Sequence, residues 1–250
     1  MPEHFARIFL LSHMRAYTSL AGHILGSHPA INGYFELHLG YENAAALERQ
    51  LEVYRAYETL KPDSRYLFDK LLHNDYPLDV ERLGTAAIKI LVALLEPEQT
   101  IRSIVDLFAR KGTDARYASP AAAAGYYIER LEWLAAFCAS LTRPYTYYDA
   151  ALFLADPEAL LERLARWLEL DTPLQAQYQI FSQTGRPGRG DSSPLIHSGR
   201  IERVRADYSH VHVPEAALGR ARAVYAACRA RIIAHAADAL VLGENGSARR

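Results

Sequence analysis

The stretch 6–20, "ARIFLLSHMRAYTSL", runs from apolar residues into an arginine and two hydroxyls, and its reading decides the fold. Residues 6–12 have the length and apolar character of a buried strand. From about Thr18 to Ser27 the pattern is helical, and Pro29 in "SHPA" ends it. A turn from strand to helix leaves backbone N–H groups and the positive helix end facing outward, a corner that attracts phosphate or sulfate. Arg15, Thr18 and Ser19 stand at that corner with the donors such an anion needs. The residues alone leave two readings open: an anion site, or a simple helix cap beside a solvated arginine. The pattern G-x-x-x-x-G-K-[ST] is absent, which weakens a kinase or ATPase reading.

Beyond this unit, strands and helices alternate. "INGYFEL" (31–37), "RYLFDK" (65–70), "AAIKILVALL" (86–95) and "YTYYDA" (145–150) read as strands, separated by helical patterns in 41–60, 96–112 and 121–141. A helix at 156–170 has Asp156 as its N-cap and Pro157 just inside it. The stretch 181–201, "FSQTGRPGRGDSSPLIHSGRI", reads as a long loop of the functional or disordered kind. A final helix is expected over 214–240. The alternation implies an α/β protein with a central parallel sheet of about five strands flanked by helices, one domain over 1–242, and a mobile tail over 243–250.

The chain has 250 residues, half of them hydrophobic, enough for a substantial core. With 28 Lys+Arg against 29 Asp+Glu the formal charge is -1, so no general basic field points to nucleic acid or to an acidic membrane. The N-terminus lacks the organisation of a signal peptide, and no segment approaches the ~20 apolar residues of a transmembrane span. Cys138 and Cys228 lie in helical segments without metal-ligand spacing, so buried free thiols and a cytoplasmic setting are expected. His210-x-His212 lies on one face of a strand if one forms there, but no third ligand is evident and no metal is implied.

In this setting "MRAYTSL" (14–20), "SHPAINGYFE" (27–36) and the length between them resemble the sulfotransferases that use 3′-phosphoadenosine 5′-phosphosulfate (PAPS), whose phosphosulfate loop reads P-R-S-G-T-T-L. The resemblance spans about residues 5–205 and rests on short motifs in the expected order. It implies a sulfotransferase-like, P-loop-NTPase-like fold and transfer of a sulfuryl group from PAPS to an acceptor hydroxyl. By the same resemblance, Arg15, Thr18 and Ser19 are ligands of the phosphosulfate, and Glu36 is the general base, with His38 as its rival. Lys70 in "FDKLLHNDYPL" (68–78) and Arg15 are catalytic, stabilising charge on the sulfate and the leaving phosphate, with Asp69 to hold the lysine and His73 more weakly implicated. Pro97 and Ser103 match the R-x-P-x-x-x-x-x-S segment that binds the 3′-phosphate. Arg186, Arg189 and Gly190 match a basic, glycine-rich loop that closes over the nucleotide.

The sequence also departs from the family pattern. Met14 replaces a proline, Ala16-Tyr17 replace Ser-Gly, and Leu95 stands where the family has the arginine for the 3′-phosphate. Arg102 or the 186–190 loop are the substitutes at hand. These departures keep open an alternative, a non-catalytic sulfotransferase-like protein that binds a partner or another ligand. The Arg-Gly-Asp triplet at 189–191 is read as chance. Tyr17, Tyr34, Tyr41 and Tyr76 are candidates for the wall of an acceptor cleft. The acceptor is left open among small-molecule, glycan, lipid and peptide hydroxyls, and so is the oligomeric state.

Overall fold

The computed structural model describes residues 5–84, 87–111, 115–186, 188, 193–243 and 246–249. Strand β1 (Ala6–Leu11) leads through the 12–17 loop into α1 (Thr18–Ser27) and then the two-residue β2 (Ile31–Asn32). There follow α2 (Ala45–Arg55), β3 (Tyr66–Leu71), β4 (Ile88–Leu94), α3 (Pro97–Lys111), α4 (Pro120–Ser140) and β5 (Tyr145–Asp149). The short α5 (Leu152–Ala155), α6 (Pro157–Trp167), α7 (Glu215–His235), β6 (Asp238–Leu242) and β7 (Ala248–Arg249) complete the chain. Among the described residues the strands form one seven-stranded sheet in the order β2-β3-β1-β4-β5-β6-β7. The first six are parallel, and β7 pairs antiparallel with β6.

Strand alternation divides the core between the two faces of the sheet. Phe9, Leu11, Ile90, Val92 and Leu94 pack with residues of α3, α4 and α7, whereas Ile8, Leu10, Leu91, Ala93 and Leu95 pack with α1 and α6. Helix starts follow local chemistry: the side chains of Ser119 and Asp156 accept the backbone N–H groups of Ala122 and Ala159, each ahead of a proline in the first turn. Glu96 performs the same task for α3, accepting the N–H groups of Glu98 and Gln99.

Three expectations change. The strand read over 31–37 stops after Asn32, because Gly33 takes φ 95°, and a side chain there would press on the Phe68 carbonyl oxygen at 2.5 Å. Glu36 therefore lies in irregular chain beyond the strand. The helix read over 214–240 ends at His235, because Ala236 turns extended and the Ala237 N–H bonds Tyr145 O, which starts β6. Within the stretch expected to be a mobile tail, Ala248–Arg249 pairs with β6. The sheet thus gains two strands at one edge over the five expected.

Helix α1 lies very close to the chain after β2. A Cβ on Gly22 would meet the Tyr34 carbonyl oxygen at 2.3 Å, so no other residue type fits without displacing backbone. This contact fixes α1 against the segment that carries Glu36.

Candidate functional site

Strand β1 is flanked by β3 on one side and β4 on the other, so the strand order reverses at β1. In open α/β sheets the crevice at the carboxyl ends beside such a reversal is where ligands bind. A cleft of about 890 Å³ opens there. Its lining includes Arg15, Tyr17, Thr18, Ser19, Glu36, His38, His73 and Ser103.

The floor is the 12–17 loop. Arg15 and Tyr17 take left-handed backbone angles, φ 66° and 55°, so Tyr17 adopts a conformation that glycine adopts without strain. The loop is held from below. Met14 N–H donates to the Tyr126 hydroxyl (2.8 Å), which donates to Leu72 O (2.7 Å), linking the ends of β1 and β3. Arg130, 1% exposed, donates to Ser12 O (2.8 Å), Leu71 O (2.6 Å) and Asn74 Oδ1 (2.8 Å). Burial lowers the Arg130 pKa to about 10, still a cation at neutral pH.

His13 links the loop to β4: its Nδ1–H donates to Met14 O (2.9 Å) and its Nε2 accepts from Leu95 N–H (3.0 Å). Burial holds its pKa at about 4, below the ordinary 6.5. The folded protein therefore binds fewer protons here than the unfolded chain, so this contribution to stability is complete above about pH 6.5 and is lost as pH falls toward 4. Asp69, raised by burial to about 7, titrates in an overlapping window with the opposite sign. The test is the difference between variants: His13→Gln should be less stable than wild type at pH 7, and the gap in melting temperature should narrow by pH 4.5. An unchanged gap would show that His13 is not held neutral.

Helix α1 starts without a side-chain cap and with no acidic residue in its first turn, and Thr18, Ser19 and Leu20 face the cleft. The N–H groups of a helix start beside two hydroxyls suit an anion. Lys70, 2% exposed, sits behind them and donates from Nζ to Ser19 Oγ (3.1 Å). It does not itself line the cleft, so its charge reaches the site through Ser19. Asp69 faces the other side of β3, as alternation requires. Its carboxylate accepts from the Tyr41 hydroxyl (2.6 Å) and from the N–H groups of Leu37 (3.1 Å) and Lys70 (2.8 Å). The expected grip of Asp69 on the Lys70 ammonium is thus replaced by a grip on the backbone beside both Glu36 and Lys70.

Glu36 is 3% exposed, and among the described residues its Oε1 has no hydrogen-bond partner. His38 Nδ1 lies 3.8 Å from that oxygen, while His38 Nε2 bonds Gly188 O (2.8 Å). The rival bases are thus neighbours. His38 reaches this position through φ 56° rather than by strand alternation.

Across the cleft, Arg15 Nε donates to Ser103 Oγ (2.8 Å), and one terminal nitrogen lies 3.5 Å from the Tyr208 hydroxyl. Leu95 is packed into the apolar face of the sheet, and Arg102 pairs with Glu98 (2.9 Å) instead of turning toward Ser103. Neither supplies charge to the cleft. Arg186 does line it, whereas Arg189 and Gly190 lie outside the described residues. Of the four tyrosines expected at the wall, Tyr17 and Tyr76 are there. Tyr41 is buried against Asp69 and Phe9, and Tyr34 stacks on Phe181. The wall also contains Tyr117, Tyr178 and Tyr208, which the sequence reading missed.

His210 and His212 do not lie on a strand, and His210 bonds Asp106 (3.0 Å). Among the described residues no three of His, Cys, Asp and Glu gather in a metal-like group, and no helix is long and apolar enough to cross a membrane. Cys138 and Cys228 are both buried free thiols.

No protein-family model matches the sequence, and no curated protein matches it. Among solved structures, the chain is similar to the sulfotransferase domain from the curacin biosynthetic pathway, with a TM-score of 0.61 and 17% identity over 90% of this chain and 98% of that one. It is also similar to the sulfotransferase domain from the Synechococcus PCC 7002 olefin synthase, with a TM-score of 0.55 and 17% identity over 90% and 97%. At this identity the likeness establishes the fold: a single α/β domain of sulfotransferase type.

Proposed function

From a chain with the sulfotransferase fold, we propose a sulfotransferase that moves a sulfuryl group from PAPS to the hydroxyl of a small-molecule, glycan or lipid acceptor in the cytoplasm. The observation that carries this reading is the Glu36 carboxylate, buried and, among the described residues, without a hydrogen bond at Oε1, in the same cleft as the start of α1, Arg15 and Ser103. A buried polar atom without a hydrogen bond is unfavourable unless a ligand group completes it.

The donor set suits a molecule with more than one anionic group. Thr18, Ser19 and the first turn of α1 receive the phosphosulfate, with Lys70 as a positioning residue behind Ser19. Arg15 and Ser103 add charge and a hydroxyl from the opposite wall. When bound, the donor supplies the sulfuryl group and a phosphate leaving group. Glu36 takes the proton that the acceptor hydroxyl loses as its oxygen bonds to sulfur and the sulfur–phosphate oxygen bond breaks. The fixed dipoles of α1 and the Lys70 charge favour the negative charge that develops on the leaving side.

A non-catalytic protein with this fold is the second reading, favoured by the burial of Leu95 in the core and by Tyr17 in the loop. Calorimetric titration with adenosine 3′,5′-bisphosphate, alongside AMP and ATP, separates the two. Binding of the bisphosphate in the micromolar range and in preference to both controls is expected. Absence of binding would overturn the enzyme reading and favour the non-catalytic one.

A further inference from the structure

We infer that Asp69 is a positioning residue for Glu36: from one face of β3 it fixes the segment that carries the base, while Lys70 on the other face serves the donor. The inference rests on the reading of Glu36 as the base of a sulfotransferase and concerns what holds that base in place.

Between Asn32 and Tyr41 the chain is irregular, so no strand ladder sets the position of Glu36. Asp69 supplies a tie at the middle of that stretch. Its Oδ1 accepts from the Leu37 N–H (3.1 Å), which belongs to the peptide group joining Leu37 to Glu36, and from the Lys70 N–H (2.8 Å). Its Oδ2 accepts from the Tyr41 hydroxyl (2.6 Å) at the far end of the stretch. Tyr41 is itself fixed: its N–H donates to Pro77 O (2.7 Å), its carbonyl accepts from Asp79 N–H (2.8 Å), and its ring packs on Phe9 with centroids 4.6 Å apart. Asp69 is 1% exposed and Tyr41 fully buried, and hydrogen bonds to a carboxylate are the stronger kind. One carboxylate thus grips the residue after Glu36 and ties it to a rigid anchor.

The register of β3 divides the work. Asp69 lies beside Phe9 and Lys70 beside Leu10 in the parallel ladder, and successive residues point to opposite faces. One face therefore meets the 36–41 stretch, and the other meets α1, where Lys70 Nζ donates to Ser19 Oγ (3.1 Å). Two adjacent residues of a single strand set the group that takes the proton in register with the groups that hold the donor. In-line transfer depends on that register, because a misplacement of about 1 Å costs about a hundredfold in rate.

The test compares wild type, Asp69→Ala, Asp69→Asn, Tyr41→Phe and Glu36→Gln, each first shown to be folded by circular dichroism, in transfer from labelled PAPS to benzyl alcohol and to 4-nitrophenolate. The alcohol has a proton to lose, whereas the phenolate arrives without one and needs no base. Asp69→Ala should slow transfer to the alcohol by about 10- to 100-fold and to the phenolate by less than about threefold, with calorimetric affinity for adenosine 3′,5′-bisphosphate also within about threefold of wild type. Asp69→Asn keeps an oxygen for the Leu37 N–H and should recover most of the loss. Tyr41→Phe should show a smaller loss with the same split, so the inference remains testable if Asp69→Ala does not fold. Equal slowing with both acceptors would mark a merely structural role and overturn the inference. Full activity in Asp69→Ala and Tyr41→Phe, with Glu36→Gln impaired, would also overturn it while leaving the proposed function intact. Unchanged transfer to the alcohol by Glu36→Gln would overturn the reading of Glu36 as the base, and this inference with it.

Discussion

Replacing Glu36 with glutamine is expected to slow sulfuryl transfer by about a hundred- to ten-thousand-fold, while donor affinity changes by less than about threefold. The amide keeps the shape of the side chain and removes its ability to take a proton. Glutamine keeps the shape and packing of Glu36, so the segment after β2 and the residues proposed to hold the donor, which share the cleft with it, stay in place. The loss should therefore appear in kcat with an acceptor identified by screening hydroxyl compounds with labelled PAPS, and calorimetry with the bisphosphate should detect little change. The companion variant is His38→Asn. Its ring is 3.8 Å from Glu36 and tied to Gly188 O, so its removal should disturb the carboxylate's orientation and cost less activity than Glu36→Gln. If His38→Asn abolished turnover and Glu36→Gln did not, the imidazole would be the base.

The second large effect is on stability. Arg130→Met is expected to destabilise the protein by about 3–5 kcal/mol, at about 1–3 kcal/mol for each buried acceptor left without its donor, measured by urea denaturation at neutral pH. Methionine fills much of the volume but leaves the carbonyl groups of Ser12 and Leu71 and the Asn74 side chain without their donor. The guanidinium also lies over the Trp133 ring, 4.7 Å from its centroid, a contact the thioether only partly replaces. Because Arg130 supports the ends of β1 and β3 beneath the cleft, bisphosphate binding should weaken as well. A loss below about 1 kcal/mol would mean that water satisfies these carbonyl groups and that the arginine is not the clamp described.

The sequence showed the fold where local signals and burial agreed. β1 and β4 have near-continuous apolar runs, β3 and β5 carry aromatic residues interrupted by polar ones, and their alternation with helices implies a parallel sheet. Gly33 overruled the apolar continuation of β2, because the chain there needed both a positive φ and close approach to β3. The Ala-rich run before Asp238 concealed β6, since alanine is the strongest helix former and carries the helical pattern past His235.

The site was legible in parts. Arg15, Thr18, Ser19 and Ser103 converge on the cleft with Glu36, but no local pattern joins Arg15 to a serine 88 residues away. Leu95 was visible as a departure from the pattern, whereas the Arg15–Ser103 contact goes with a left-handed turn of the loop that no sequence pattern marks. Arg130 was there to be found: it interrupts an apolar stripe that includes Ala123, Tyr127 and Leu134, and a charge in such a stripe has to meet a partner in the interior.

The reversal of strand order at β1 also bears on the growing chain. During synthesis β1, β2 and β3 leave the ribosome first, and β1 can pair only on the side facing β3. Its other edge is open, a template for wrong pairing between nascent chains, until residues 88–94 emerge. The arrival of β4 closes that edge and brings α3, with Ser103, up to Arg15. The half-made protein is thus most vulnerable to aggregation just before the cleft is complete.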